Sequence, residues 1–182
     1  MTKTNSPTQI LVAEHEIILR VIGAITKECH ALKNERKNLD KKFFVSSIDF
    51  VRNYADKFHH AKEKDILFVE FCKNAHLAHC NPIEQMLYEH RLGREFIQNL
   101  EQGIKNNDKN KAIENGLGYA ALLEEHIYKE NNILYPMADE ILSDKAQKEM
   151  LRKFSEAERK NFKDGEIKKY LAFAKDISKK SK

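Results

Sequence analysis

The sequence predicts an all-α protein: an antiparallel four-helix bundle with additional short C-terminal helices. Long stretches contain no helix-breaking residue, since the chain has only six glycines and three prolines. Apolar residues recur every three to four positions in four long segments, and no segment alternates strictly between apolar and polar residues. Long helices joined by short polar stretches favour antiparallel neighbours in a bundle.

We expect a single domain over residues 1–182, with the bundle core in about 7–141 and a helical appendage in 143–180. Hydrophobic residues make up 41% of the chain and charged residues 33%, the balance of a soluble globular protein. Lys and Arg total 32 against 28 Asp and Glu, and the excess lies largely at the C-terminal end. Because opposite charges interleave elsewhere, we expect no nucleic-acid partner.

The cysteines and the N-terminal segment favour a cytoplasmic protein. Cys29, Cys72 and Cys80 have no CxxC spacing, and an odd number of cysteines favours reduced thiols. The first residues, MTKTNSPTQILVAEHE, contain no apolar core of a secretory signal. No apolar run approaches the roughly 18 residues that span a membrane, so we expect no membrane partner.

The first two helices have recognisable starts and inner faces. Ser6 and Gln9 can form a capping box around Pro7, and the first helix is expected to end near Lys33. After a polar loop, the second helix is expected over about 42–73. The expected inner faces are Leu11, His15, Ile18, Ile22 and Ile25 in the first helix, and Ile48, Val51, Ala55, His59, Glu63 and Ile66 in the second.

The third helix, expected over about 82–102, begins with Asn81 as a cap and is expected to stop at Gly103. The fourth follows to about residue 140, and Pro136 is expected to kink or interrupt it. The expected inner faces are Ile83, Met86, His90, Ile97 and Leu100 in the third helix, and Tyr119, Leu122, His126, Glu130 and Ile133 in the fourth. Ser143 is expected to cap a fifth helix, and Gly165 to separate it from a sixth.

Two ten-residue stretches repeat with an offset of 67 residues: HHAKEKDILF begins at His59 and HIYKENNILY begins at His126. They share His, Lys and Glu at the first, fourth and fifth places, whereas His60 has no counterpart. A weaker echo pairs the Glu-His dipeptide at 14–15 with the one at 89–90. The repeat predicts a bundle with approximate twofold symmetry, which suits a site for two metal ions.

Residues four apart lie above one another on one helix face, so each HxxxE pair directs an imidazole and a carboxylate to the same point. His59 and Glu63 share a face with Ile66 and are expected to point inward. His60 is expected to be turned about 100° away from them, outside the site.

The histidines and glutamates on the inner faces predict a metal site. A lone histidine such as His15 is more often a core residue than a ligand, but four imidazoles and two carboxylates buried together are costly without compensation. Mixed imidazole and carboxylate ligands on a bundle suit iron or manganese. Even with an oxo or hydroxo bridge, this set leaves coordination positions open on two octahedral ions. The expected metal ligands are His15, His59, Glu63, His90, His126 and Glu130.

On these motifs the sequence resembles the hemerythrin-like (HHE cation-binding) proteins of bacterial type. The motifs are the dipeptide at 14–15, HHAKE at 59–63, NPIEQMLYEHRLGR at 81–94 and HIYKENNILYP at 126–136. The resemblance implies two iron ions in an oxo- or hydroxo-bridged non-haem centre on the same six ligands. It implies binding of oxygen and, in bacterial relatives, sensing, stress-related reactions with nitric oxide or peroxide, or iron handling.

Two positions depart from the pattern of the family's oxygen carriers. The carriers have a second histidine four residues after the one that corresponds to His90, and this chain has Arg94 there. The carriers also have an aspartate five residues after the histidine that corresponds to His126, where this chain has Asn131 and Glu130 provides the acid. Both departures favour the stress-related bacterial members over reversible oxygen transport.

The sequence is compatible with three functions. The first is a di-iron protein that binds or reacts with small diatomic or oxidant ligands, with or without turnover. The second is an iron storage or delivery protein, and the third is an interaction module that uses metal only for stability.

Several neighbouring residues allow two interpretations. Tyr119 is expected to be a core aromatic, though its hydroxyl could reach a bound oxygen species. Gly93 could open a channel or permit close helix packing. Lys62 and Lys129 are expected on a solvated face, and Glu89 either there or bonded to a ligand histidine.

Overall fold

The computed structural model describes residues 6–180, with side chains described to residue 177, and the described chain is helical without a strand. The helices are α1 (Pro7–Lys33), α2 (41–73), α3 (Ile83–Lys105), α4 (109–141), α5 (Asp144–Asn161) and α6 (Glu166–Lys180). The first four form the bundle, in which α4 packs against both α1 and α3, and α2 packs against both α1 and α3. The predicted all-α fold class is confirmed.

Helices α2 and α4 change from α to π geometry where they cross the middle of the bundle. In α2 the segments Val51–His60 and Glu63–Leu67 are π-helical, and in α4 the segment Glu130–Leu134 is π-helical. A π turn contains more residues than an α turn, so it changes the face on which the following residues lie. The glutamate of each HxxxE motif, Glu63 or Glu130, therefore begins a π-helical segment.

The π segments correct the expected inner faces of α2 and α4. Ile66 is only half-buried and Ile133 is 46% exposed, so the prediction that both point inward was wrong. Leu67 and Leu134, one residue later, are buried instead. The wider turn moves the inner face by one position beyond each glutamate.

The helix starts agree with the capping signals of the sequence. Ser6 and Gln9 make both hydrogen bonds of a capping box at the start of α1, and the Ser143 side chain accepts a hydrogen bond from the Ala146 amide at the start of α5. The third helix begins one residue later than Pro82, and the Asn81 side chain accepts a hydrogen bond from the Ile83 amide. Gly165 has a φ of 82° and separates α5 from α6, as expected.

The expectation that Gly103 stops α3 was wrong, because the helix continues through it to Lys105. A Cβ atom at Gly103 would lie 2.8 Å from the backbone nitrogen of Ala112 and 3.2 Å from its Cα. The glycine therefore allows the first turn of α4 to pack directly on the backbone of α3.

Pro136 lies in the first turn of the α-helical segment Tyr135–Ile141, immediately after the π segment of α4. The chain does change geometry there, as expected of a proline, but it remains helical to Ile141. The absent N–H of a proline is tolerated in the first turn of a helical segment.

The buried apolar residues form two clusters with a polar layer between them. In α1 the order is Leu11 in one cluster, then His15, then Ile18 in the other; in α3, Met86 and Ile97 flank the polar layer in the same way. Four helices thus bring polar side chains to one level of an otherwise apolar interior.

The C-terminal helices extend both clusters. In α5, Met150 and Phe154 join the cluster that contains Leu11, and Tyr170 and Ala174 of α6 join the other. Within residues 6–180, no helix is both long and apolar enough to cross a membrane.

Two glycines of the bundle give a matched test of this packing. We expect Gly103→Ala to lower the free energy of unfolding by about 1–3 kcal/mol, because the added methyl group meets backbone. We expect Gly23→Ala to raise it by about 0.5–1 kcal/mol, since a Cβ there meets nothing within 4 Å and alanine is the better helix former. Urea unfolding of both variants in the same metal state measures the difference, and equal effects would contradict it.

Candidate metal centre

Each helix of the bundle contributes a buried histidine to the polar layer, and four of these histidines form two pairs. His15 of α1 and His59 of α2 have their Nε2 atoms 2.8 Å apart, and His90 of α3 and His126 of α4 have theirs 3.0 Å apart. Metal–nitrogen bonds of about 2.0–2.1 Å place two nitrogens on one ion, at right angles, about 3 Å apart. Each histidine pair therefore has a separation that one ion can use.

Glu63 and Glu130 each face both histidine pairs. One oxygen of Glu63 lies 3.5 Å from His59 Nε2 and the other lies 3.5 Å from His90 Nε2. Glu130 has one oxygen 3.2 Å from His15 Nε2 and the other 3.2 Å from His126 Nε2. This is the arrangement that a carboxylate needs in order to bridge two ions.

The donor atoms fit a pair of cations. Both carboxylates are fully buried, and among the described residues Glu63 Oε2 and both oxygens of Glu130 accept no hydrogen bond. Buried carboxylate oxygens are costly unless they are paired or bound to metal. Two groups of potential ligands have their donor atoms within 4.8 Å of one another: His15, His59, Glu63 and Glu130 in the first, and His60, Glu63, His90 and His126 in the second.

The structure brings together all six residues that the sequence singled out, and it adds His60. The expectation that His60 points away from the site was wrong: it is 9% exposed and its ring stacks on His90 with 3.8 Å between centroids. His59 and His60 end the π segment of α2, where each residue advances through a smaller angle than in an α-helix. Both imidazoles therefore reach the interior, which the repeat could not show because residue 127 is isoleucine.

A carboxylate on the neighbouring helix orients one histidine of each pair. Glu14 Oε2 accepts a hydrogen bond from His59 Nδ1 at 2.9 Å, and Glu89 Oε2 accepts one from His126 Nδ1 at 2.7 Å. A partner on Nδ1 fixes the tautomer and leaves Nε2 available to a metal. His15 obtains the same support from Asn131 Oδ1, 2.8 Å from its Nδ1.

A lysine from each HxxKE motif completes these contacts. Lys62 Nζ donates to Glu14 Oε1 at 2.5 Å, and Lys129 Nζ donates to Glu89 Oε1. The expected solvated position of Lys62 was wrong, since Lys62 is only 3% exposed, whereas Lys129 remains partly exposed. Glu89 is also buried, so the interpretation that bonds it to a ligand histidine holds.

The charged groups of the site shift the pKa values of their neighbours. Burial lowers the pKa of His59, but Glu63 and Glu14 outweigh burial and raise this pKa to about 10. Burial likewise lowers the pKa of His126, and Glu130 with a second carboxylate raises it to about 10. Burial raises the pKa of Glu63, but the neighbouring histidines hold it well below its usual value. The buried carboxylates thus require positive charge beside them, which a bound cation can supply in place of the protons.

The two halves differ at an aromatic position of the repeat. The Tyr135 hydroxyl donates a hydrogen bond to Glu63 Oε1, and the Tyr135 ring is parallel to that of His15 with 5.5 Å between centroids. The matching position is Phe68, which stacks on His90 at 6.0 Å and has no hydroxyl. The sequence drew attention to Tyr119 instead, which is buried three turns away from Glu130 along α4.

The family model named "Hemerythrin HHE cation binding domain" matches residues 6–138, which include the whole polar layer. The chain belongs to the hemerythrin HHE cation-binding family. No curated protein and no solved structure is similar enough to extend this comparison. The predicted family is confirmed, and with it a cation-binding bundle.

The two departures from the oxygen carriers have definite positions in this hemerythrin-like chain. Arg94 directs its guanidinium to Asp56, with 2.7 Å between Nη1 and Oδ1, and half of its side chain is exposed. Asp56 in turn lies 3.3 Å from His60 Nδ1. Arg94 is therefore connected to the site through His60, and Asn131 through His15.

The lysines of the repeat provide a test of how the buried carboxylates are supported. We expect Lys62→Met to lower the free energy of unfolding of the metal-free protein by about 3 kcal/mol, because it removes one partner of a buried ion pair. The matched change Lys129→Met should cost about 1 kcal/mol or less, since solvent reaches this pair. Urea unfolding with circular dichroism detection measures both. Equal losses of stability in the two variants would show that burial of Lys62 does not strengthen the contribution of its ion pair.

Proposed function

We propose that this protein is a non-haem di-iron protein that binds or reacts with small diatomic or oxidant ligands, such as oxygen, nitric oxide or peroxide, in stress response or sensing. The observation that carries the proposal is the position of Glu63 and Glu130, each with one oxygen toward either histidine pair. The proposed ligands are the six residues expected from the sequence, with His60 as a seventh on the side of His90.

Iron bound in this layer would supply affinity for small ligands and a change of oxidation state. The protein side chains hold the donor atoms in place: Glu14 and Glu89 fix two imidazole tautomers, and Tyr135 holds the Glu63 carboxylate. The apolar clusters above and below the layer exclude water from these two sides of it, which strengthens the electrostatic contacts of the buried carboxylates.

The donor set favours redox-active iron over a structural metal. Imidazole and carboxylate ligands suit iron, whereas structural zinc sites use cysteine thiolates or histidines in closed tetrahedra. Cys29 is buried and Cys72 and Cys80 are exposed, and none of the three belongs to either group of potential ligands. Arg94 provides no ligand where the oxygen carriers have a histidine, so we favour reaction over reversible oxygen transport.

The proposal predicts two iron ions per chain in protein purified from iron-replete cells, and a visible spectrum that changes when the reduced protein meets oxygen or nitric oxide. Elemental analysis and stopped-flow absorption measure both quantities. One zinc and no iron after anaerobic iron reconstitution would contradict the di-iron proposal. Two irons without any reaction would favour a metal that only stabilises the bundle.

Substitution of individual histidines tests the proposed ligands. We expect His59→Ala to abolish binding at the His15 half, and His60→Ala, as loss of a proposed ligand, to weaken binding of the second iron by at least the roughly tenfold that loss of a supporting group costs. His79→Ala is the matched control, because His79 is exposed on the connection before α3. Iron titrations of the three variants decide between these roles. Unchanged affinity in His60→Ala would remove it from the ligand set.

A further inference from the structure

A cavity of about 430 Å³ connects the surface of the bundle with one half of the polar layer. It lies between α2, α3 and α4, and its inner end is formed by the imidazoles of His60, His90 and His126. These three residues belong to the second histidine half, whereas the first half contributes no residue to this cavity. The two halves of the layer are therefore unequally accessible.

Helix α5 covers the opposite side of the layer. Lys62 Nζ lies 3.5 Å from the centroid of the Phe58 ring and 5.7 Å from that of Phe154, which belongs to α5. Both phenylalanines are buried. Aromatic side chains thus surround Lys62 on this side, whereas the cavity reaches the layer from the side of His60, His90 and His126.

One part of the cavity wall is apolar and includes a position without a side chain. Val51, Ile97 and Leu123 are buried along it, and Gly93 faces the ring of Tyr119. A Cβ at Gly93 would lie 3.4 Å from Tyr119 Cε2, so one methyl group fits but a larger side chain occupies the cavity. Gly93 therefore keeps the approach open next to the imidazole of the third-helix histidine.

The charged groups at the outer end are paired with one another. Arg52 makes two hydrogen bonds to Glu101, at 3.1 and 2.9 Å, and Arg94 pairs with Asp56 at 2.7 Å. The arginine side chains are 46% and 49% exposed, so these pairs are at the mouth and are weak enough to open and close readily. Because each arginine has a carboxylate partner, the mouth has no free positive charge with which to attract an anion.

We propose that this cavity is the passage by which small uncharged molecules reach the His90 and His126 half of the centre, with the Arg94–Asp56 pair at its mouth. The inference rests on the proposed function. It predicts that uncharged ligands such as nitric oxide, oxygen or hydrogen peroxide reach the centre more readily than anions such as azide. Gly93 is then a specificity-determining residue, because the absence of a side chain at this position sets the width of the passage.

Substitutions at Gly93 test the passage. In reduced, iron-loaded protein we expect Gly93→Leu to slow nitric oxide association by about tenfold, as when binding requires a conformational change, and Gly93→Ala to slow it less. Gly23→Leu on α1 is the matched control, because a Cβ there meets nothing within 4 Å, and its rate should be unchanged. A normal rate in Gly93→Leu with full iron content would overturn the proposal, and Gly93→Ala decides if the leucine variant fails to fold.

The preference for uncharged ligands has its own test. Glu101→Gln leaves Arg52 without its partner and should speed azide association by about two- to threefold at low ionic strength, with nitric oxide unaffected. Glu149→Gln makes the same charge change beside Arg152 on α5, far from the cavity, and should alter neither rate. An azide rate that does not respond to Glu101→Gln would overturn the electrostatic part of the proposal.

A measurement that needs no iron chemistry separates this inference from the proposed function. Crystals of the wild-type protein under xenon pressure should show xenon in the part of the cavity next to Gly93, since xenon occupies apolar space, and Gly93→Leu should remove it. Failure of wild-type protein to react with nitric oxide, with xenon bound in the cavity, would refute the proposed function and leave the passage supported. Absence of xenon from wild-type crystals would overturn the passage.

Discussion

The structure depends on two carboxylates that meet at the centre of an apolar bundle. Glu63 and Glu130 are fully buried, and three of their four oxygens accept no hydrogen bond from the described residues. Such groups are tolerated only where positive charge is close. The four imidazoles surround the pair, Glu14 and Glu89 accept hydrogen bonds from two of these imidazoles, and a lysine donates to each of these outer carboxylates. A cation-binding bundle is the simplest fold that satisfies them.

The polar layer has approximate twofold symmetry. The two halves of the layer differ in their side chains at the positions where this symmetry is broken. Helices α1 and α2 supply Glu14, His59 and Lys62, and α3 and α4 supply the equivalent Glu89, His126 and Lys129. The symmetry breaks at His60, which has isoleucine as its counterpart, and at Tyr135, which has phenylalanine. One half therefore has an additional imidazole and an approach from outside, and the other has a hydroxyl group.

Much of this organisation could be predicted from the sequence. The helix starts at Ser6 and Ser143 depend on local hydrogen bonds, which the sequence specifies directly. The six expected residues gather in one layer because i, i+4 spacing holds in both α and π turns. The sequence did not predict the buried positions of His60, Leu67 and Leu134, because the prediction assumed 3.6 residues per turn throughout each helix. Tyr135 and buried Lys62 were missed because their roles arise from contacts between helices that are distant in sequence.

The π segments limit how this centre could be transferred to another protein. The segments Glu63–Leu67 and Glu130–Leu134 each set the direction of a glutamate and move the inner face of the helix by one position, as the exposure of Ile133 shows. The same side chains grafted onto ideal α-helices would keep the HxxxE pairs but turn His60 outward and bury the wrong aliphatic residues. A designer would have to copy the irregular backbone of α2 and α4 together with the ligands, because idealised helices do not contain it.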